Sequence, residues 1–323
     1  MRKAMTLRLA LSFGLAAMAV IALGERHALS ADTIRVGKSV PIAWTFTPLD
    51  IGKETGIFAK HGLDVEISAF GGDARMQQAL AANGIDIGLG SGPGMGFAAK
   101  GVPAKAVAAF AGRPNNLGII IAADSPYKSI KEMKGKKFAI TTVGSLTDWL
   151  LKHAAIAQGW KHDDLVGVPL GGFETNYAAF KTKQVDGIML AIESCYLLIN
   201  RNEGKLIARM GDFVPKFHTH VIFARQDWID GKPDQVKRFL TAWFETIAWM
   251  KANKEKTVEI SARVLKSTPE IIGRAYDEQI SMLQDNGKFD PEAITVIKES
   301  LIEMEILDKK PTDEQIFTTK FLQ

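Results

Sequence analysis

Between residues 33 and 224, short runs rich in β-branched residues alternate with runs whose apolar residues recur at helical spacing. That alternation admits little besides βαβ units wound around largely parallel sheets. Residues 33–38 (TIRVGK) and 64–70 (DVEISAF) read as strands, followed by 85–89 and 104–111. Helices are expected at 48–61 and at 74–82, the second stopping at Asn83-Gly84. These pieces make one α/β lobe.

A second series begins at 116–124 (NLGIIIAAD), after which Ser129-Ile130-Lys131-Glu132 has the form of a capping box. Strands are expected at 137–142, 165–170, 187–192 and 205–210, with helices at 146–157, 176–183 and 196–202. The run 219–224 (THVIFA) should carry the chain back to the first lobe. From Pro233 onward the sequence is almost purely helical. Val236, Phe239, Leu240, Trp243, Phe244, Ile247 and Met250 repeat at three- and four-residue spacing and are expected in the core. Pro269 behind Thr268 and Pro291 behind Asp290 each open a further helix behind a capping side chain. The fold class is therefore α/β, with lobe I at 31–119 and 222–323 and lobe II inserted at 120–221. The chain crosses twice, near 117–122 and near 220–223, which makes a hinge.

The N-terminus sets the compartment. Arg2, Lys3 and Arg8 precede an apolar stretch at 9–23, and small residues follow at Ala28, Ser30 and Ala31, the layout of a secretory signal peptide. Its apolar core of roughly 15 residues is short of the roughly 20 that a permanent membrane span requires. A leader at 1–30 is expected to be removed. Residues 1–30 carry a net +3 of the full chain's +4, so the mature domain is nearly neutral and has no basic footprint for nucleic acid. The single cysteine, Cys195, can neither form an internal disulfide nor carry an N-terminal lipid, and is expected as a buried, inert thiol.

The stretch Phe46-Thr47-Pro48-Leu49-Asp50-Ile51-Gly52-Lys53-Glu54-Thr55-Gly56-Ile57-Phe58, running on to Gly62-Leu63-Asp64-Val65-Glu66, resembles a segment of the ABC-importer binding proteins for nitrate, sulfonates, taurine and thiamine-pyrimidine-like precursors. Further similar pieces fall in family order at 79–88 (ALAANGIDIG), 100–107 (KGVPAKAV) and 178–187 (AAFKTKQVDG). The resemblance covers essentially all of the mature chain. It implies a two-lobed periplasmic-binding-protein type II fold with two hinge crossings and a helical C-terminal region. It also implies a periplasmic, monomeric protein that binds a small polar molecule, anionic or zwitterionic, between its lobes. The partner would be an ABC transporter permease in the inner membrane, and no cofactor is implied.

Ligands of open α/β sheets bind beyond the carboxyl ends of the strands, so the loops after each strand supply the candidates. Ser39, Trp44, Thr45 and Phe46 combine hydroxyls with aromatic faces, although Trp44 and Phe46 serve equally well as lobe packing. Gly72 lies at a helix start beside Asp73, which reads more simply as a cap. Ser91 and Gly92 belong to a glycine-rich loop whose G-x-G-x-x-A spacing lacks the first-strand position and the acidic residue of a dinucleotide site. Gly144, Ser145 and Thr147 sit where a strand runs into a helix, a place where free N–H groups attract an anion. Asp148 competes for the same positive end, because Ser145-x-x-Asp148 is itself a capping box. Glu193 ends a strand and suits either an amine or hydroxyl of a ligand or the start of the next helix.

His218 and His220 share one face of a strand but have no third ligand, so no metal site is expected. Neither G-x-S-x-G nor H-E-x-x-H occurs, and no catalytic residue is assigned. The alternatives are an enzyme of the same fold acting on pyrimidine or quinone precursors, and a periplasmic ligand sensor.

Overall fold

The computed structural model describes residues 31–322, and the expected leader at 1–30 lies outside them. In chain order the first half runs β1 (Asp32–Lys38), α1 (Thr47–Glu54), α2 (Ile57–Lys60), β2 (Leu63–Ala69), α3 (Asp73–Ala81), β3 (Ile87–Ser91), α4 (Met95–Ala99) and β4 (Ala104–Ala111). The second half runs β5 (Leu117–Ala122), β6 (Lys137–Ile140), α5 (Leu146–Ile156), β7 (Val166–Pro169), α6 (Phe173–Lys181), β8 (Gly187–Ala191), α7 (Ile192–Asn200) and β9 (Gly204–Arg209). After β10 (His220–Arg225) come α8 (Gln226–Gly231), α9 (Pro233–Ala252), α10 (Lys254–Val264), α11 (Pro269–Gln279), α12 (Pro291–Glu303) and α13 (Asp313–Ile316). Among the described residues, no helix is long and apolar enough to cross a membrane.

The strands form two five-stranded sheets with the orders β2-β1-β3-β10-β4 and β7-β6-β8-β5-β9. In each, the strand second from one edge comes from the other side of a crossing and runs antiparallel to both neighbours: β10 against β3 and β4, β5 against β8 and β9. The remaining pairs, β1 with β2 and β3 and β6 with β7 and β8, are parallel. Each lobe thus repeats one plan, with a returning strand stitched into a βαβ sheet.

The chain passes between sheets at 112–116 and at 210–219, ahead of β5 and β10 rather than within them. Boundaries at 119/120 and 221/222 therefore fall inside strands. The two crossing segments lie side by side, since Thr219 N–H donates to Gly112 O at 3.1 Å. The helix expected at 48–61 breaks into α1 and α2 at Gly56, whose φ of 76° supplies the left-handed turn. The capping-box sequence at Ser129 makes only a 3-10 turn at Ile130–Glu132.

Ile34 and Val36 alternate inward along β1 and pack with Phe58, Phe110, Phe239 and Trp243 in the first lobe's core. The expected face of α9 is buried there, with Phe244 only partly covered. The C-terminal helices do not all belong to that lobe. Ile297 and Leu301 of α12 enter a second core with Phe138 and Trp149, and the Trp149 indole donates to Ser300 Oγ at 2.6 Å. Helix α11 likewise reaches α7, where Glu278 accepts the Tyr196 hydroxyl and pairs with Arg209 at 2.9 Å. Cys195 is fully buried, and burial drives its thiol further from ionisation.

Candidate ligand cavity between the lobes

The carboxyl ends of the strands in the two sheets face one another across a cavity, the position that open α/β sheets reserve for ligands. The first lobe contributes Ser39 to Ala43, Phe46, Gly72, Asp73, Ser91 and His220. The second contributes Leu117, Thr141, Leu146, Thr147, Phe173, Asn176, Met189, Leu190, Ala191 and Ser194, and Asn116 closes the wall from the crossing segment. None of these residues is Lys or Arg. Arg75 lies exposed beside Gly71 and Gly171, outside the wall.

Five of the residues expected from sequence line this cavity: Ser39, Phe46, Gly72, Ser91 and Thr147. Trp44 is fully buried edge-on to Tyr276, with ring centroids 5.7 Å apart. Thr45 lies behind the wall and meets His220 Nε2 at 3.0 Å. Gly92 donates its N–H to His218 O at 3.1 Å. Gly144 faces a different depression with Phe97, Lys100, Lys152 and Glu305. Ser145 Oγ sits 2.8 Å from Thr141 Oγ1 and 3.1 Å from Thr147 Oγ1.

The start of α5, expected to attract an anion, already holds carboxylates from the chain itself. Asp73 reaches across from the first lobe, and its Oδ2 accepts the Leu146 N–H at 3.2 Å. The same oxygen accepts Ser91 Oγ–H at 2.8 Å, while Oδ1 accepts the Ser91 N–H at 3.1 Å. Burial raises the Asp73 carboxyl above the usual carboxylate range, and these hydrogen bonds oppose that shift. Asp148 Oδ2 takes the Gly144 N–H at 2.8 Å and pairs with Lys152 at 3.3 Å. Ser145 occupies the N-cap position, yet its hydroxyl does not cap the helix. Glu193 is committed in the same way: Oε1 accepts the Trp44 N–H at 2.7 Å and Oε2 accepts the Gln279 amide at 3.2 Å. Its carboxyl is also raised by burial.

His220 is fixed as a neutral ring. Nδ1 lies 3.2 Å from Gly90 O, which can only accept, so the proton resides on Nδ1. Nε2 then accepts from Thr45 Oγ1 at 3.0 Å and Asn116 Nδ2 at 3.1 Å. Burial lowers its pKa to about 3.

Sequence reasoning missed Asn116 and Asn176. Asn116 looked like the first residue of a strand, and Asn176 like a helix start. The strand-end rule points to the loop after β7, where Gly171-Gly172 marks the turn ahead of Asn176, so that signal was present in the chain.

Two α/β lobes, each completed by an antiparallel strand returning from beyond a crossing, with a cavity at the strand ends between them, define the periplasmic-binding-protein fold. The chain belongs to the family described as NMT1/THI5 like, whose profile matches residues 44–257. It is 29% identical over 262 residues to a protein of Brucella abortus (strain 2308) named as a binding protein, covering 80% of this chain and 78% of that one. It is 24% identical over 273 residues to a protein of Bacillus subtilis (strain 168) named as an aliphatic sulfonates-binding protein, covering 79% and 80%. Among solved structures, the alkanesulfonate-binding protein SsuA from Xanthomonas axonopodis pv. citri bound to MOPS matches with a TM-score of 0.76 at 16% identity, covering 88% of this chain and 96% of that one. The periplasmic nitrate-binding protein NrtA from Synechocystis PCC 6803 matches with a TM-score of 0.69 at 20% identity, covering 88% and 84%. At these identities the structural matches establish the fold, and they agree with the α/β two-lobed architecture and helical C-terminal region read from the sequence.

Proposed function

We propose that this chain is the solute-binding component of an ABC importer, exported by its leader to the periplasm, where it captures a small molecule between its lobes and presents it to a membrane permease. The observation that carries the reading is the cavity at the strand ends, walled by both lobes and spanned by the Asp73 to Leu146 and Glu193 to Trp44 hydrogen bonds. Closure over a ligand then amounts to rotation about the paired segments 112–116 and 210–219, and the ligand favours closure by binding that state more tightly than the open one. The relatives named as binding proteins support the same role, as does the lack of a nucleophile motif in the sequence. In this reading the protein works as a monomer and turns over no substrate.

The test is to purify the exported protein without denaturation, release what it holds by unfolding, and identify it by mass spectrometry. Refolded, ligand-free protein should unfold at a lower temperature and recover when the released compound is returned. Small-angle scattering should show a smaller radius of gyration with ligand. A protein that releases nothing and responds to no returned extract, or that converts the compound, would falsify this function.

A further inference from the structure

We infer that the ligand is an uncharged molecule with an apolar body and at least two N–H donors, of the primary-amide class, read by the side-chain oxygens of Asn116 and Asn176. The inference rests on the cavity being the ligand site, as proposed above, and narrows what that site accepts.

Both asparagines border the cavity and are only 2% exposed, and in both the Oδ1 atom is buried with no hydrogen-bond partner. The orientation of each amide is fixed by its other end. Asn116 Nδ2 faces His220 Nε2 at 3.1 Å, a nitrogen that must accept because Nδ1 carries the proton toward Gly90 O. Asn176 Nδ2 donates to Gly171 O at 3.3 Å, an atom that can only accept. Turning either amide over would set oxygen against an acceptor. Two buried carbonyl oxygens, on residues that border the cavity, are thus left with unused lone pairs, and buried acceptors of this kind call for donors.

The charges around the cavity exclude the ionic alternatives. An anion would meet two orphaned acceptors and no Lys or Arg side chain on the wall, while at the start of α5 the Leu146 and Gly144 N–H groups are taken by Asp73 and Asp148, whose negative charges repel it there. A cation would find Asp73 as the wall's sole acid, with both oxygens already engaged. His220 is held neutral by its own partners. The rest of the enclosure, with Ile42, Phe46, Leu117, Phe173 and Leu190, suits an apolar body. The expected anionic or zwitterionic ligand drew its charge partners from the α5 terminus and Glu193, and the chain's own groups occupy both Glu193 oxygens and the Leu146 and Gly144 N–H groups of that terminus.

Four probes of one shape and different charge separate the outcomes: benzamide, benzoate, benzenesulfonate and benzylamine, titrated calorimetrically into ligand-free protein. Benzamide should bind at least tenfold more tightly than the other three. Asn116→Ala and Asn176→Ala should each weaken it by about tenfold, as loss of one buried hydrogen bond does, while melting temperatures without ligand identify any variant that folds poorly. Asn176→Asp is the second arm, since a carboxylate at this place should shift preference toward benzylamine. Benzoate or benzenesulfonate binding as tightly as benzamide, or asparagine variants that leave benzamide affinity unchanged in folded protein, overturn the ligand class. So does binding of none of the four. In each case the compound released from the purified protein decides separately whether the cavity is a ligand site at all.

Discussion

Asp73 Oδ2, at the start of α3 in the first lobe, lies 3.2 Å from the backbone nitrogen of Leu146, the first residue of α5 in the second. A helix N-terminus is thereby capped by a carboxylate from the opposite wall of the cleft, which the helix dipole favours. The contact exists only while the lobes are together, so it contributes to closure as well as to fold.

Asp73→Ala leaves the N–H groups of Ser91 and Leu146 unpaired in a buried place. The expected cost is about 1–3 kcal/mol, read as a lower urea midpoint at constant slope. Asp73→Asn should recover part of it, because the remaining amide oxygen still accepts.

Gly72 makes a further close approach across the cleft. Its φ of 130° is a conformation that side chains rarely adopt, and a Cβ there would stand 2.6 Å from Thr142 Oγ1 and 3.1 Å from Thr141 Cβ. Gly72→Ala should therefore push the lobes apart, with a cost of roughly 1–3 kcal/mol from the backbone alone. The measurements are a larger radius of gyration in solution and a lower melting temperature. A variant as compact as the parent protein would show that the lobes do not meet through this residue.

The ten strands were legible because period and β-branched content are local properties. The crossings were placed a few residues late because the returning strands β5 and β10 carry the same apolar signal as any buried strand, and nothing local marks which sheet receives them. The site was harder. Asp73 reads as the cap of its own helix, and its actual partner, Leu146, lies 73 positions further along the chain. Glu193 reads as a pocket acid or a helix cap for the same reason, since its partner Trp44 is 149 positions away. Asn176 was hidden by the opposite effect: a helix-start asparagine has an ordinary local explanation, and only the committed Nδ2 and the orphaned Oδ1 show otherwise.

Helix α12 reaches both lobes: Ile294 packs with Met76 and Phe223 of the first, and Ile297 and Leu301 enter the second lobe's core although they lie more than 70 residues beyond the last crossing. Leu301 is fully buried there, with Ile297 and Trp149. Leu301→Ala should cost about 2–5 kcal/mol, the range for a buried leucine whose surroundings relax only in part. Urea unfolding followed by tryptophan fluorescence measures it, and a cost below about 1 kcal/mol would place Leu301 outside that core.

His218 sets an acid limit on stability. It is fully buried, and its Nε2 accepts the Asp290 N–H at 2.8 Å. The Asp290 carboxylate is the charge that favours its protonation, and Phe289 meets the ring edge-on at 5.7 Å. Burial outweighs the influence of Asp290 and lowers the His218 pKa to about 4, from an ordinary 6.5. The unfolded chain therefore binds this proton where the folded chain does not, and stability falls as pH drops from 6.5 toward 4. Between pH 7 and pH 5 the loss from His218 is on the order of 2 kcal/mol. His220 adds a loss of the same sign, its window extending to about 3. Asp73 and Glu193 act in the opposite sense: with carboxyls raised in the folded state, they contribute stability that is lost as pH rises from the usual carboxylate range through their folded values. His218→Gln removes one acid-sensitive group and leaves the carboxylates in place. Its urea midpoint should depend less on pH between 7 and 5 than that of the parent protein, and an unchanged dependence would mean that the ring is already charged in the folded state.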